Sequence, residues 1–266
     1  VCYEVVVAEP DGDRFTTWLQ ALEARHLARL SFGEVRRGLV ALSSLYVERR
    51  GRLGSGRALE GAGKRAAFAL FYGPIHFLLV REIVRALGAS ARPPRVIFDL
   101  GCGTGAAGAA WALESGGCRV EGVDRSSWAV EEARWSYRAL GLAGTAVRGD
   151  IVRAVLPGRG GALLVAFTLN EAGEAGRAVL RERLLSAGRS GATVLVVEPI
   201  ARRALGWWDE WSVAFRAAGG RADEWRFPAD LPERLRQFDR AARLDHRELT
   251  GRSLWMPGVA AHRRRP

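Results

Sequence analysis

Three short stretches of the sequence combine residue types at spacings that could do chemistry. In the first, Val96-Ile97-Phe98-Asp99-Leu100 runs straight into Gly101-Cys102-Gly103-Thr104-Gly105 and then into an alanine-rich segment. Glycines at such a turn adopt positive φ and let a ligand approach the backbone, while the helix that follows offers free N–H groups. The second stretch, Arg119–Asp124, ends about twenty residues later in an acid able to accept both hydroxyls of a ribose, with Arg125 beside it. The third, Gly149-Asp150-Ile151, follows another β-rich run at the edge where open α/β sheets bind ligands, and Asp150 is suited to accept from an adenine amino group. Together they describe a pocket for a nucleoside. The register Gly103–Gly108 also fits the dinucleotide pattern GxGxxG, which leaves a nicotinamide cofactor open at this point.

The set Asp99-Leu100-Gly101-Cys102-Gly103-Thr104-Gly105, Asp124 and Gly149-Asp150 resembles the cofactor motifs of the class I S-adenosylmethionine (SAM)-dependent methyltransferases. The resemblance spans roughly 95–199. It implies that Asp99 and the turn at Gly101, Gly103 and Gly105 face the methionine part of SAM, Asp124 the ribose and Asp150 the adenine, with Cys102, Arg125 and Ile151 as further cofactor contacts. A fainter similarity links Ala166-Phe167-Thr168-Leu169-Asn170-Glu171, Val196-Val197-Glu198-Pro199, Ser44–Arg50 and Tyr72–Pro74 to the methyltransferase-like family that assists small-ribosomal-subunit assembly. That similarity implies an RNA or ribosomal particle as partner and an rRNA methyl acceptor. The cysteine cluster with which some members hold an iron–sulfur centre has no counterpart here, so no metal is expected.

For the transfer itself, Asn170 and Glu171 stand where the fourth strand should deliver side chains to the methyl group. Glu171 is a candidate to orient a nucleophile or take its proton, with a helix-terminal role as the plainer alternative. Glu198, Tyr72, His76, Trp207 and Trp208 are candidate substrate contacts, and His246 is a further pocket-wall candidate; for the aromatic ones a core position is the simpler alternative. Adjacent indoles at Trp207 and Trp208 cannot face the same side of one helix, so one of them is expected to face substrate. No Asn/Asp-Pro-Pro-Tyr run and no cysteine after the fourth strand are present, which disfavours exocyclic adenine amines and pyrimidine C5 as acceptors.

These residues need a scaffold. Alternation of β-rich and helical runs from Val96 onward calls for a mostly parallel Rossmann-like sheet of about seven strands with helices on both faces. Strands are expected at Val96–Leu100, Val120–Asp124, Thr145–Val147, Leu163–Leu169, Thr193–Glu198, Ala222–Phe227 and Ser253–Met256. Helices are expected at Gly105–Ser115, Ser127–Leu140, Ala172–Ala187, Arg202–Ala218 and Leu231–Leu244. Ser126 or Ser127 should cap the second of these, with Glu131 and Glu132 as an acidic first turn. Upstream, Arg14–Gly88 reads as helical, with Leu19, Leu22, Leu27 and Leu30 at helical intervals. The break at Ala91–Pro94 places a boundary between a helical domain at 1–93 and the sheet domain at 94–266.

Length and composition bound the remainder. With 266 residues and 48% hydrophobic content the chain can bury a full α/β core. Cys2, Cys102 and Cys118 form no CxxC pair and have no histidine partners at ligand spacing, so no disulfide framework or zinc site is expected. Neither a signal peptide nor a bilayer-spanning run is read, and a cytoplasmic protein without membrane contact is expected. Ala66–Val80, interrupted by Gly73 and Pro74, suits a buried helix with a break. The net charge of +11, the arginine-rich Arg49–Gly63 loop and the His262-Arg263-Arg264-Arg265 tail favour a polyanion such as RNA. A small-molecule acceptor under a helical lid is the alternative. A non-catalytic assembly factor and a nicotinamide oxidoreductase are the lesser ones; Lys64 is the sole lysine, so no Tyr-xxx-Lys pair can form in the α/β region.

Overall fold

A computed structural model describes residues 11–48, 59–200 and 206–258. Cys2, most of the Arg49–Gly63 loop, the start of the helix expected from Arg202 and the His262–Arg265 tail lie outside them. Seven strands form one sheet in the order β3-β2-β1-β4-β5-β7-β6. β1 (Val96–Leu100), β2 (Arg119–Asp124), β3 (Gly144–Arg148), β4 (Ala162–Ala166) and β5 (Thr193–Glu198) are parallel. β7 (Glu248–Met256) runs antiparallel to both β5 and β6 (Arg221–Pro228). Because β7 is reversed, its first residues stand at the carboxyl edge of the parallel strands, beside the end of β5.

The central strands are apolar on both sides. Along β4 and β5, Leu164, Ala166, Leu195 and Val197 join one buried cluster while Leu163, Val165, Val194 and Val196 join the other. This is the period-2 alternation of a strand covered twice. Helices α5 (Ala106–Glu114), α6 (Ser127–Ala139), α7 (Gly173–Arg189), α8 (Trp208–Ala217) and α9 (Glu233–Ala242) provide most of that cover. Ser126 caps α6, its hydroxyl accepting from Ala129 N–H at 3.3 Å. Glu132 does not serve that helix's first turn. It is 2% exposed and holds Arg25 and His26, the latter at 2.8 Å.

The N-terminal helices α1 (Asp11–Leu27), α2 (Phe32–Glu48), α3 (Ala62–Ala67) and α4 (Gly73–Ala86) pack on the same core rather than beside it. Phe15, Trp18, Leu19 and Leu22 of α1 are buried, each worth about 1.5–3 kcal/mol by removal from water, and Phe15 stacks on Phe77 of α4 at 4.8 Å. Phe32 of α2 stacks on Phe238 of α9 at 4.7 Å. Between α3 and α4, Phe68–Tyr72 form a π turn closed by Gly73 N–H to Phe68 O, and Pro74 follows where its missing N–H costs nothing. The run Ala62–Ala86 is long and apolar enough to cross a membrane, yet 72% of its most apolar stretch is buried within the fold.

Candidate active site

The turn after β1 is shaped by what surrounds it. Gly101 has φ +77°, and a Cβ there would lie 2.3 Å from the Thr168 side chain. Gly103, at φ +51°, faces open space up to Phe68 at 3.7 Å. Asp124 turns toward this bend: its Oδ2 accepts Gly103 N–H at 3.0 Å and its Oδ1 accepts Ser126 N–H at 2.8 Å. Each oxygen keeps a lone pair for a further donor.

Above the turn lies a cavity of about 500 Å³, within the range typical of small-molecule sites. Its floor is Gly101, Cys102, Gly103 and Thr104; Asp124, Arg125, Gly149 and Ile151 form one end. Glu171 lies near Arg125 and Asp124, the opposite end is built from Phe167, Asn170, Glu198, Leu244 and His246, and Phe68, Tyr72, Ile75 and His76 roof the space. The roof thus comes from the π turn and α4. His76 lies flat on Phe167, centroids 3.8 Å apart at 13°, and loss of solvation pushes its imidazole down to about 3, so it is neutral.

Several expected site residues do not line this space. Asp99, 1% exposed, lies behind the turn, where Oδ2 accepts Gly108 N–H at 3.0 Å. It caps the third residue of α5, a helix whose own N-cap, Gly105, has no side chain to do so. Gly105 packs on Tyr137 instead of facing the cavity. Asp150 is exposed, and its carboxylate accepts Val152 N–H at 2.9 Å, so Gly149 and Ile151 frame the cavity there without it. Trp208 is buried in the second core cluster. Trp207 also misses the cavity, but its indole N–H donates to Asn170 Oδ1 at 3.3 Å, which aims the Asn170 amide group.

Carboxyls dominate the charge inside. Burial raises Glu198 to about 8, against backbone N–H bonds from Leu169 and Thr168 that favour its ionised form. Its Oε2 is buried without a partner among the described residues. Burial likewise raises Glu171 to about 7, opposed by Arg125. Burial also raises Asp99 to about 7, opposed by Gly108 N–H. Among the described lining residues Arg125 is the one guanidinium, set against Asp124, Glu171, Glu198 and Glu248. No described group of three or more His, Cys, Asp or Glu could hold a metal ion.

Sequence reasoning left one pair unassigned. Asp239 Oδ2 accepts His246 N–H at 2.9 Å and Oδ1 meets the ring Nδ1, while His246 lines the cavity. The signal was legible: Leu235, Phe238, Asp239 and Ala242 form the buried stripe of α9, and an acid on an apolar stripe needs a partner. The three described non-glycine residues with positive φ, Phe167, Arg243 and Asp245, all line or flank this end of the cavity. Such backbone is held only where its surroundings over-determine it.

Residues 97–184 match the family model of a methyltransferase domain. No curated protein matches the chain. Among solved structures, a Listeria monocytogenes protein provisionally assigned as a class I SAM-dependent methyltransferase is similar at 12% identity, covering 94% of this chain and 90% of that one, with a TM-score of 0.50. A SAM-dependent methyltransferase from Geobacter sulfurreducens, crystallised with S-adenosyl-L-homocysteine, is 20% identical over 65% of this chain and 89% of its own, TM-score 0.43. At these identities the likeness is one of fold. The residues fit the cofactor: Gly103 leaves open space over the turn up to Phe68 at 3.7 Å, and the Asp124 carboxylate from the neighbouring strand turns toward that bend. Family match and sheet order agree that residues 97–184 resemble a methyltransferase domain and that the sheet around them has the fold seen in class I SAM-dependent methyltransferases.

Proposed function

We propose that the chain methylates a small, uncharged acceptor held in the roofed cavity, with SAM bound across the β1 turn. The observation that carries this reading is the cavity itself, closed over by Phe68, Tyr72 and His76, with Asp124 and Glu248 set against Arg125 among the described lining residues and Glu171 and Glu198 raised toward neutrality by burial, which suits a neutral organic molecule better than a phosphodiester. In this reading the bend at Gly101–Gly103 accommodates the methionine part, Asp124 the ribose, and Gly149 and Ile151 the adenine. SAM supplies a methyl group on a positively charged sulfur, already activated for in-line displacement, so alignment and exclusion of water are the protein's tasks.

The chain's residues divide that work. His76 on Phe167, with Phe68 and Tyr72, forms an aromatic wall that excludes water and aligns a planar acceptor. Asn170, its oxygen engaged by Trp207, turns its amide donors to the cavity. Glu171, close to Arg125 and Asp124, sits toward the ribose end. The helices at 11–86 act as the lid, their core continuous with that of the sheet.

The net charge of +11 favours a second reading, an RNA acceptor such as ribosomal RNA with one base reaching the cavity. Mass spectrometry of small molecules and of digested RNA from cells with and without the gene separates the two. A methyl mark missing from a small molecule is expected. A mark missing only from RNA refutes the small-acceptor reading.

A further inference from the structure

We propose that His246 and Asp239 form a general-base dyad and that the acceptor is a planar hydroxyl compound methylated on oxygen. The inference rests on the reading of the cavity as a methyl-transfer site, and it adds a catalytic residue and a functional group.

The placement comes from topology. His246 stands two residues before β7, whose reversed direction brings this loop to the carboxyl edge beside β5, at the end of the cavity away from Asp124. Asp239, buried on α9, fixes the residue twice, through the backbone N–H and through ring Nδ1. A carboxylate on Nδ1 selects the tautomer whose proton is on that nitrogen and leaves the Nε2 lone pair bare. Among the described residues Nε2 makes no hydrogen bond, and the ring edge meets Phe71 at 5.5 Å, which limits its rotation. Arg243 and Asp245, both with positive φ, bracket the loop that presents it. A histidine needed only for packing would not require two bonds from one buried acid.

The acceptor's chemistry follows from what faces the same space. The flat pair His76 and Phe167 suits a planar ring. Glu198 Oε2, fully buried and unpartnered at the cavity, matches an oxygen lone pair when it carries its proton. A hydroxyl becomes a competent nucleophile only as its proton leaves. In the step, the acceptor O–H proton passes to His246 Nε2, the oxygen electron pair forms the new O–CH3 bond, and the methyl–sulfur bond breaks with its electrons returning to sulfur. The products are the methyl ether, S-adenosylhomocysteine and an imidazolium that releases its proton to solvent, with Asp239 as the positioning residue that stabilises the charge.

The test uses the full chain, S-adenosylhomocysteine calorimetry, and transfer from SAM to catechol, 2-naphthol and 2-naphthylamine. Binding of S-adenosylhomocysteine with methylation of a hydroxyl probe but not the amine is expected. His246→Gln should lower that rate by about 100-fold or more, with cofactor affinity within about threefold of the parent. Side-chain 15N NMR should show one histidine with a protonated Nδ1 and bare Nε2, missing in His246→Gln and altered in Asp239→Asn, whose rate falls at least about tenfold. Failure to bind S-adenosylhomocysteine defeats the methyl-transfer reading itself. Binding with no hydroxyl probe methylated, with His246→Gln as active as the parent, or with His246 protonated on Nε2 overturns the dyad.

Discussion

Replacing Gly101 by alanine isolates what the β1 turn demands of its residues. At φ +77° any L side chain incurs about 1–2 kcal/mol of left-handed strain. The new Cβ would also lie 2.3 Å from Thr168 Cγ2 and Oγ1 and 2.8 Å from Thr168 Cβ. Thr168 is not free to move, since its hydroxyl donates toward Gly101 O at 3.1 Å and Ala166 O at 3.0 Å. Overpacking of this kind adds about 1–3 kcal/mol. Gly103→Ala is the control, because its φ of +51° carries the same backbone strain while its Cβ meets nothing closer than Phe68 at 3.7 Å. We therefore expect Gly101→Ala to lose about 1–3 kcal/mol more stability than Gly103→Ala in urea unfolding. Thr168→Gly removes the contacted atoms, so the double variant with Gly101→Ala should recover at least about 1 kcal/mol relative to additivity. Equal losses at the two glycines, or a strictly additive cycle, would refute the steric account of the turn.

Asp124→Ala removes the acceptor for Gly103 and Ser126 N–H together with the proposed sugar contact, and should weaken S-adenosylhomocysteine binding at least about tenfold, or 1.4 kcal/mol, by calorimetry; unchanged affinity removes the proposed pocket. Glu198, raised from 4.5 to about 8 by burial, contributes stability that is complete below pH 4.5 and lost as pH rises through 8. The ceiling is on the order of 5 kcal/mol, and Glu198→Gln should flatten the decline in urea stability between pH 5 and pH 8, leaving the slopes from Asp99 and Glu171. Glu132→Ala strips Arg25 and His26 of their buried partner and should lower stability by about 1–3 kcal/mol, less than a fully buried pair because Arg25 is 41% exposed. A loss under about 0.5 kcal/mol would show that α1 is held by its apolar face of Phe15, Trp18, Leu19 and Leu22.

The turn expected to hold the cofactor was legible as a turn because backbone makes it. β1 and β5 fall where their apolar runs place them, and the glycines mark the turn without help from distant residues. β4 ends at Ala166, three residues short of the expected Leu163–Leu169, because Phe167 adopts a positive φ and Leu169–Glu171 wind into a 3-10 turn; the apolar run conceals that bend. β7 starts at Glu248, five residues before the expected Ser253, since pairing with β6 stabilises its polar half. The roles expected of Asp99 and Asp150 went astray for a common reason. Each carboxylate found a backbone N–H a few residues away, a local competition that spacing does not reveal. The acceptor half depends on side chains from α4, α9 and the loop before β7 meeting in space, and only the acid on the α9 stripe announced it.

The π turn at Phe68–Tyr72 amounts to one surplus residue in an otherwise continuous helical rod. Deleting any one of the five would restore regular winding and change which side chains of this turn face the cavity, while α3 keeps its phase with α4 because the wide turn had absorbed the extra residue. A lineage built on this scaffold can thus exchange the ceiling over its acceptor through a single-codon insertion or deletion, a far shorter evolutionary path than rebuilding the walls residue by residue.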